Sequence, residues 1–261
     1  GQLAIAALVT YGGTRIEFAT NPLGGMIYLG AWGIPLTIFW LVATMNIINL
    51  IDGLDGLASG VAAIACVAFA AIAFQRAQWL VGIITMALMG SVLGFLPYNF
   101  NPARIFMGDA GSMFLGFVIG MLSVEGALKG AAAIAITVPI LILGLPTLDT
   151  LLAIFRRLHG RVPVYAADDR HLHHRLLALG LSQRQAVLLM YGVSSVLALL
   201  AMLSVRLNSV AAMAVFGAAG VLLLFGGIRL EASERPHSAE KGARAWFGAR
   251  GPWGRGGSAR L

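Results

Sequence analysis

The chain has 261 residues, of which 59% are hydrophobic and only 11% charged, with a mean hydropathy of +0.85. That balance excludes a soluble globular domain, and a lone cysteine, Cys66, excludes a disulfide framework. The net charge of +7 would suggest nucleic acid for a soluble protein, but no basic face with interleaved aromatics accompanies it, so no nucleic-acid partner is expected.

An apolar run opens the chain at residues 3–11. Gly1 is not an initiator methionine, and no charged leader with a cleavage site is present, so the expectation is a fragment whose N-terminal helices are missing. Apolar stretches of spanning length follow at 32–50, 57–74, 79–96, 111–128, 130–155, 185–203 and 209–230, near the roughly 20 residues that cross a bilayer as a helix. The predicted fold is all-α: an N-terminally truncated, polytopic transmembrane helical bundle over 1–230. From 231 the chain reads "EASERPHSAEKGARAWFGARGPWGRGGSARL", rich in Gly, Arg and Ser and without helical periodicity. Such a composition buries too little surface to offset its ordering entropy, so 231–261 is expected to be a disordered basic tail.

The basic residues are uneven. If the helices alternate, one side holds Arg104, Arg156, Arg157, Arg161, Arg170, Arg175 and Arg184, together with Arg229, Arg235, Lys241, Arg244, Arg250, Arg255 and Arg260 of the tail. The other side holds Arg15, Arg76, Lys129 and Arg206. Fourteen of 18 on one side puts that side in the cytoplasm. Asp52, Asp55, Asp109, Asp149, Asp168 and Asp169 fall on this face, as do His159, His171, His173 and His174. Glu17, Glu125, Glu231, Glu234 and Glu240 read as solvated groups of outer loops, a helix end and the tail.

In "NIINLIDGLDGLASG" (46–60) Asn46, Asn49, Asp52 and Asp55 are spaced by three, which makes successive members neighbours on a slowly drifting helical face. Gly53 and Gly56 permit a tight exit and close approach of a ligand to the backbone. The bland alternative is a capped, snorkelling helix end, but a cap needs one such side chain and not four. An unpaired carboxylate within the bilayer costs on the order of 3 kcal/mol, so these groups call for a partner.

"FNPARIFMGDAGSMFLG" (100–116) is a short loop leading into a helix. Asp109 stands where free backbone N–H groups and the positive end of the helix dipole begin, so it caps the helix or holds Mg²⁺ against a diphosphate. Carboxylate oxygens suit Mg²⁺, with Mn²⁺ as an alternative, whereas the lack of cysteine pairs argues against zinc. Phe106 either stacks on a base or packs at the bilayer edge. "DDRHLHHRL" (168–176) brings Arg170, His171, His173, His174 and Arg175 close in sequence, suited to clamping phosphate oxygens. A solvated basic loop is the alternative there.

Together "NIINLIDGLDGLASG", "FNPARIFMGDAGSMFLGF", "PTLDT" and "DRHLHHRL" resemble the polyprenyl-phosphate N-acetylhexosamine-1-phosphate transferases, relatives of phospho-MurNAc-pentapeptide translocase. The motifs stand in family order over roughly residues 1–230, and the "HxHH" form is closer to the GlcNAc-type branch. The resemblance implies an Mg²⁺-dependent enzyme of the bacterial inner membrane, working at the cytoplasmic face. It would transfer N-acetylhexosamine 1-phosphate, most simply GlcNAc-1-phosphate, from a UDP-sugar to undecaprenyl phosphate and release UMP. That is the first membrane step of O-antigen or other envelope polysaccharide synthesis. By motif position Asp109 would hold the metal, and Asp52 and Asp55 would be catalytic carboxylates near the diphosphate. Asn49 would orient them, with Asn46 and Asn99 also assigned to substrate binding. Phe106 would contact uracil, while Arg170, His171, His173, His174 and Asp149 would complete the substrate site.

The family's further aspartate pair is expected upstream of Gly1. Asp168-Asp169 belongs to the histidine segment and is not that pair, so the fragment by itself is expected to be an incomplete enzyme. A homodimer is left open. The rival class is a multi-pass transporter with carboxylates as ion sites, which midplane charges and inverted repeats would favour. No internal repeat is visible, and the charges gather at one face.

Overall fold

The computed structural model describes residues 1–20, 26–128, 144, 176–207, 210–223 and 225–226. The elements are α1 (Gln2–Tyr11), β1 (Phe18–Thr20), β2 (Met26–Tyr28), a 3₁₀ turn (Gly30–Trp32), α2 (Gly33–Ile51), α3 (Leu57–Gln75), α4 (Trp79–Asn99), α5 (Gly108–Leu128) and α6 (Gln183–Ser204). A shorter apolar helix, α7, covers Val210–Leu223. Among the described residues, four helical segments are long and apolar enough to cross a membrane: Gly30–Ile51, Leu57–Gln75, Trp79–Asn99 and Gln183–Ser204. The chain is a multi-pass membrane protein built from helices, because a helix satisfies every backbone group within its own segment.

Most predicted spans match observed helices to within a few residues. Two differences bear on the site. Pro97 does not end α4, which continues through it to Asn99, and α5 begins at Gly108, taking Asp109 into its first turn. The predicted span 130–155 lies outside the described residues, apart from Gly144. The tail 231–261 lies outside them as well. A short antiparallel hairpin, Phe18 opposite Tyr28, is the one departure from an all-helical chain among the described residues.

Helix α3 is the centre, packed on α4, α6 and α5. Its sequence, LASGVAAIACVAFAAIAFQ, is dominated by small residues, and most of it is buried. Small side chains let neighbouring backbones approach, which matters where lipid tails are as apolar as the helices and tight packing must supply the attraction. A Cβ on Gly60 would overlap the Tyr191 ring of α6. Helix α2 packs on α5 and α1, and a Cβ on Gly116 of α5 would stand 2.5 Å from the Thr44 carbonyl oxygen.

Polar groups inside the α2–α5 seam are paired, as burial demands. Trp40 Nε1 donates to Ser123 Oγ at 2.8 Å, and Thr44 Oγ1 returns its proton to its own helix. At the hairpin end, Thr37 Oγ1 accepts from Ile16 N at 2.8 Å, and Thr14 donates to Glu125 at 2.6 Å. Glu125 and Glu17, which the sequence suggests are merely solvated, thus each have a partner; Glu17 pairs with Arg15 at 3.0 Å. The opposite end joins the C-termini of α2 and α4 to the N-termini of α3, α5 and α6, and it carries the polar residues of 46–60 and 99–112.

Candidate active site at the polar end of the bundle

Helix α2 stops at Ile51, with Asp52 as its C-cap. The expected single face of Asn46, Asn49, Asp52 and Asp55 is therefore corrected: the two asparagines lie on the helix, and the two aspartates lie in the turn beyond it. Gly56 ends that turn at φ +83° and N-caps α3. A Cβ there would lie 2.9 Å from the Phe100 ring in a backbone region that L residues avoid, so glycine is the residue that fits. Leu54 and Leu57 are buried and pin the turn from below, leaving Asp52 and Asp55 half-buried above. Burial pushes the Asp52 carboxyl up to about 6, and the negative charges of Asp109 and Asp55 push the same way.

Asn49 joins α2 to the start of α5. Its Nδ2 donates to Asp109 Oδ1 at 3.2 Å and to Ser112 Oγ at 2.9 Å. Gly108, at φ +67°, turns the chain into α5. Asp109 is exposed in the first turn, where unpaired N–H groups and the helix dipole favour a negative charge. The sequence-based roles for Asn49 and Asp109 thus rest on residues that touch.

The other expected contacts are distributed differently. Asn46 turns toward α1, donating to Gln2 Oε1 at 3.1 Å and to the Val42 carbonyl at 2.7 Å. Asn99 is buried and its amide is used inside the protein: Oδ1 accepts from Ser59 Oγ at 2.7 Å, and Nδ2 donates to the Ile105 carbonyl at 3.1 Å. It holds the 100–106 loop by its far end. Phe106, at the tip, is 74% exposed and available to a flat ligand. Asp149, Arg170, His171, His173 and His174 lie outside the described residues.

Sequence reasoning passed over Asn101 and Gln183. Asn101 Nδ2 donates to Asp55 Oδ2 at 3.1 Å and to Gln183 Oε1 at 2.8 Å. Ala103 N also donates to Asp55 Oδ2, at 3.0 Å. Arg184 Nε donates to the Asn101 carbonyl at 2.9 Å, and the Tyr191 hydroxyl donates to the Gly56 carbonyl. The local signal was the capping box of Ser182 and Gln185, which fixes where α6 starts. A cleft of about 600 Å³ opens beside this loop, between the end of α4 and Tyr191, with Arg104 in its lining.

Among the described residues, no three His, Cys, Asp or Glu side chains gather closely enough to enclose a metal ion. Mg²⁺ does not require an enclosed cage, because it keeps waters and takes substrate phosphates alongside one or two carboxylates. Asp109, exposed and hydrogen-bonded through Oδ1 to Asn49, fits that kind of site. Its charge adds to burial, the larger cause, in raising the Asp52 carboxyl, and the one ion pair among the described residues, Arg15–Glu17, involves neither aspartate.

These features define a class: a multi-pass helical membrane protein with a carboxylate- and amide-lined site at one end of its bundle. Residues 1–127, the stretch from α1 into the end of α5, match the model of the family described as Glycosyl transferase family 4. The chain is 42% identical over 191 residues to a protein of Bacillus subtilis (strain 168) named "Probable undecaprenyl-phosphate N-acetylglucosaminyl 1-phosphate transferase", covering 73% of this chain and 53% of that one. It is 46% identical over 121 residues to the "Decaprenyl-phosphate N-acetylglucosaminephosphotransferase" of Mycolicibacterium smegmatis, covering 42% of this chain and 30% of that one. To a "Phospho-N-acetylmuramoyl-pentapeptide-transferase" of Desulforudis audaxviator it is 38% identical over 207 residues, covering 77% and 55%. The chain spans about half the length of the Bacillus and Desulforudis relatives and less of the mycobacterial one.

Proposed function

We propose that the full-length protein transfers N-acetylglucosamine 1-phosphate from UDP-GlcNAc to a polyprenyl phosphate, undecaprenyl phosphate in the first instance, at the cytoplasmic face of the bacterial inner membrane. An oxygen of the acceptor phosphate attacks the sugar-bearing β-phosphorus of the donor. The bond from that phosphorus to the bridging oxygen breaks, and UMP leaves with the electron pair. The product is a lipid-linked diphospho-sugar for an envelope polysaccharide.

The observation that carries this reading is the Asn49–Asp109 hydrogen bond, which brings the end of α2, capped by Asp52, to the start of α5 at one end of an apolar bundle. Phosphoryl transfer asks chiefly for positioning and charge neutralisation. Asp109 would hold Mg²⁺, or Mn²⁺ in its place, and the ion would offset the charge of the donor diphosphate. Asn49 keeps the Asp109 carboxylate aimed outward by bonding one of its oxygens. Exposed Phe106 offers its face to the uracil ring. Asp52, held near neutrality by burial and its acidic neighbours, sits where it can take a proton from an approaching phosphate. Carboxylates at helix ends, away from the midplane, favour chemistry at the membrane surface over the transporter reading. The test is UMP release from UDP-GlcNAc by full-length protein: release that depends on both undecaprenyl phosphate and Mg²⁺ is expected, and no release under those conditions would refute the reading.

A further inference from the structure

At the end of the bundle away from the candidate site, the turn between α3 and α4 carries an arginine in an unusual setting. Five arginines lie among the described residues: Arg15, Arg76, Arg104, Arg184 and Arg206. All but Arg76 are exposed, and Arg15 and Arg184 are bonded besides, to Glu17 and to the Asn101 carbonyl. Arg76 is half-buried, and no acceptor among the described residues meets its guanidinium. Burial lowers its pKa from the usual arginine value, with no opposite charge to offset it. An arginine stays protonated all the same, so this turn holds a partly desolvated cation without its anion.

The turn is fixed on both sides. Arg76 is the C-cap of α3. Ala77 N donates to the Phe74 carbonyl at 3.1 Å and Gln78 N to the Ala73 carbonyl at 2.8 Å, the two bonds of a Schellman ending. That ending sets Ala77 at φ +54°, left-handed backbone where glycine is usual. Such strain persists only where the surroundings over-determine it. Gln78 does so: it is buried, N-caps α4 and donates from Nε2 to the Gly126 carbonyl of α5 at 3.0 Å. On either side of Arg76 in the chain, Phe74 and Trp79 bring their ring centroids to 5.7 Å. Phe74 is held against Gly82, where a Cβ would come within 2.5 Å of its ring, while Trp79 is 64% exposed. Leu80 and Ile83 continue an exposed apolar strip along α4, one of the spans long enough to cross the membrane.

We propose that the α3–α4 turn seats an anionic phospholipid in the leaflet opposite the candidate site, with Arg76 taking the phosphate and Trp79 flanking it at the headgroup level. A phosphodiester supplies the missing anion, and a guanidinium can bind two of its oxygens at once. Tryptophan favours the membrane interface, where its ring is in apolar surroundings and its N–H reaches water. A lipid meets both parts of the turn, its head at Arg76 and its chains along Leu80 and Ile83, whereas free phosphate meets only the first. No carboxylate among the described residues pairs with Arg76, so a lipid of net negative charge fits better than a zwitterionic one. The site does not depend on the functional reading above.

The experiment titrates full-length protein in detergent with dioleoyl phosphatidylglycerol, dioleoyl phosphatidylcholine or inorganic phosphate. Bound lipid is counted by native mass spectrometry, and the thermal unfolding midpoint is read alongside. Phosphatidylglycerol should bind and raise the midpoint. Arg76→Gln should retain one such lipid fewer and lose most of the rise, its affinity weakened about tenfold or more, the scale of a charge-assisted hydrogen bond. Trp79→Leu should weaken binding by less. Arg206→Gln removes an exposed cation just beyond α6, at the same end of the bundle, and should bind as wild type does. Without lipid, Arg76→Gln should unfold no lower than wild type, because it removes an unpaired, half-buried charge. Lipid retention untouched by Arg76→Gln, or equal losses in Arg76→Gln and Arg206→Gln, would overturn the proposal. So would phosphatidylcholine binding as tightly as phosphatidylglycerol, or inorganic phosphate alone reproducing the rise. A lower lipid-free midpoint for Arg76→Gln would overturn it too, since Arg76 would then have its partner within the fold.

Discussion

The two seams that meet at the polar end use the same kinds of side chain in opposite ways. In the α2–α5 seam, Asn49 gives Asp109 a single hydrogen bond and leaves the carboxylate exposed in the first turn of a helix. Where the 100–106 loop meets the start of α6, Asn101 and Ala103 both bond Asp55, and Asn101 is itself held from α6. Asp109 takes one donor in an exposed first turn, whereas Asp55 takes two donors on Oδ2 and so anchors the 100–106 loop. Residue type and motif membership do not separate the two cases, and the inventory of donors does.

Breaking the first seam should have the largest effect. Asp109→Asn should lower turnover by more than the roughly 100-fold that marks the upper range for an outer-shell partner. An amide lacks the charge to hold a hard cation, and a Mg²⁺ titration of UMP release checks this. Turnover unchanged across the titration would remove Asp109 from the metal site. Asn49→Ala should cost roughly 10–100-fold in turnover, because it frees Asp109 to turn without removing it. Ser112 keeps its bond to the Gly108 carbonyl, so the folded yield of this variant should be near wild type.

The turn shared by both seams can be strained directly. Gly56→Ala places a methyl group 2.9 Å from the Phe100 ring at φ +83°. Left-handed backbone alone costs an alanine about 1–2 kcal/mol, so a lower unfolding midpoint in detergent is expected. An unchanged midpoint would mean that the turn is free to move.

The smallest effect sharpens the comparison through pH. Asp52 has a folded pKa of about 6 against an ordinary 3.8, so the folded chain binds this proton more tightly than the unfolded one between those values. Its contribution to stability therefore grows as pH falls from 7 through 6 toward 4 and is complete below the unfolded value. Asp52→Asn should raise stability at pH 7 by about 1 kcal/mol after discounting for solvent screening of a half-exposed group, even as it impairs turnover. A drop in the unfolding midpoint at pH 7 would mean that Asp52 is satisfied by a partner in the fold.

Much of this architecture was legible in the sequence because apolar length and helix punctuation are strong local signals. The limits of α1 to α6 follow from uninterrupted Leu, Ile, Val and Ala runs, and the gathering of Asn49, Asp52 and Asp109 at one end follows from alternation of the spans. Several features left no such trace. The spacing by three from Asn46 to Asp55 mimics a helical face, but the glycines at 53 and 56 break the helix, and Asn46 meets α1 instead. Strands of three residues are too short to carry a period, so the hairpin was unforeseen. The pairing of Asn101 with Gln183 spans 82 positions and joins two amides, residue types with no fixed partner preference. Where Asn99 spends its amide depends on Ser59, forty positions away, which reads in the sequence as an ordinary small residue of α3.

The most direct measurement follows the phosphorus. Full-length protein is incubated with undecaprenyl phosphate, Mg²⁺ and UDP-GlcNAc labelled at the β-phosphate, and the label is traced into the lipid and aqueous fractions. Transfer of sugar 1-phosphate predicts that the β-phosphate label and the sugar enter the lipid together, with one unlabelled UMP released per lipid product. Sugar entering the lipid while the label remains in UDP would contradict it, because the bond broken would then be the one between the sugar and its phosphate.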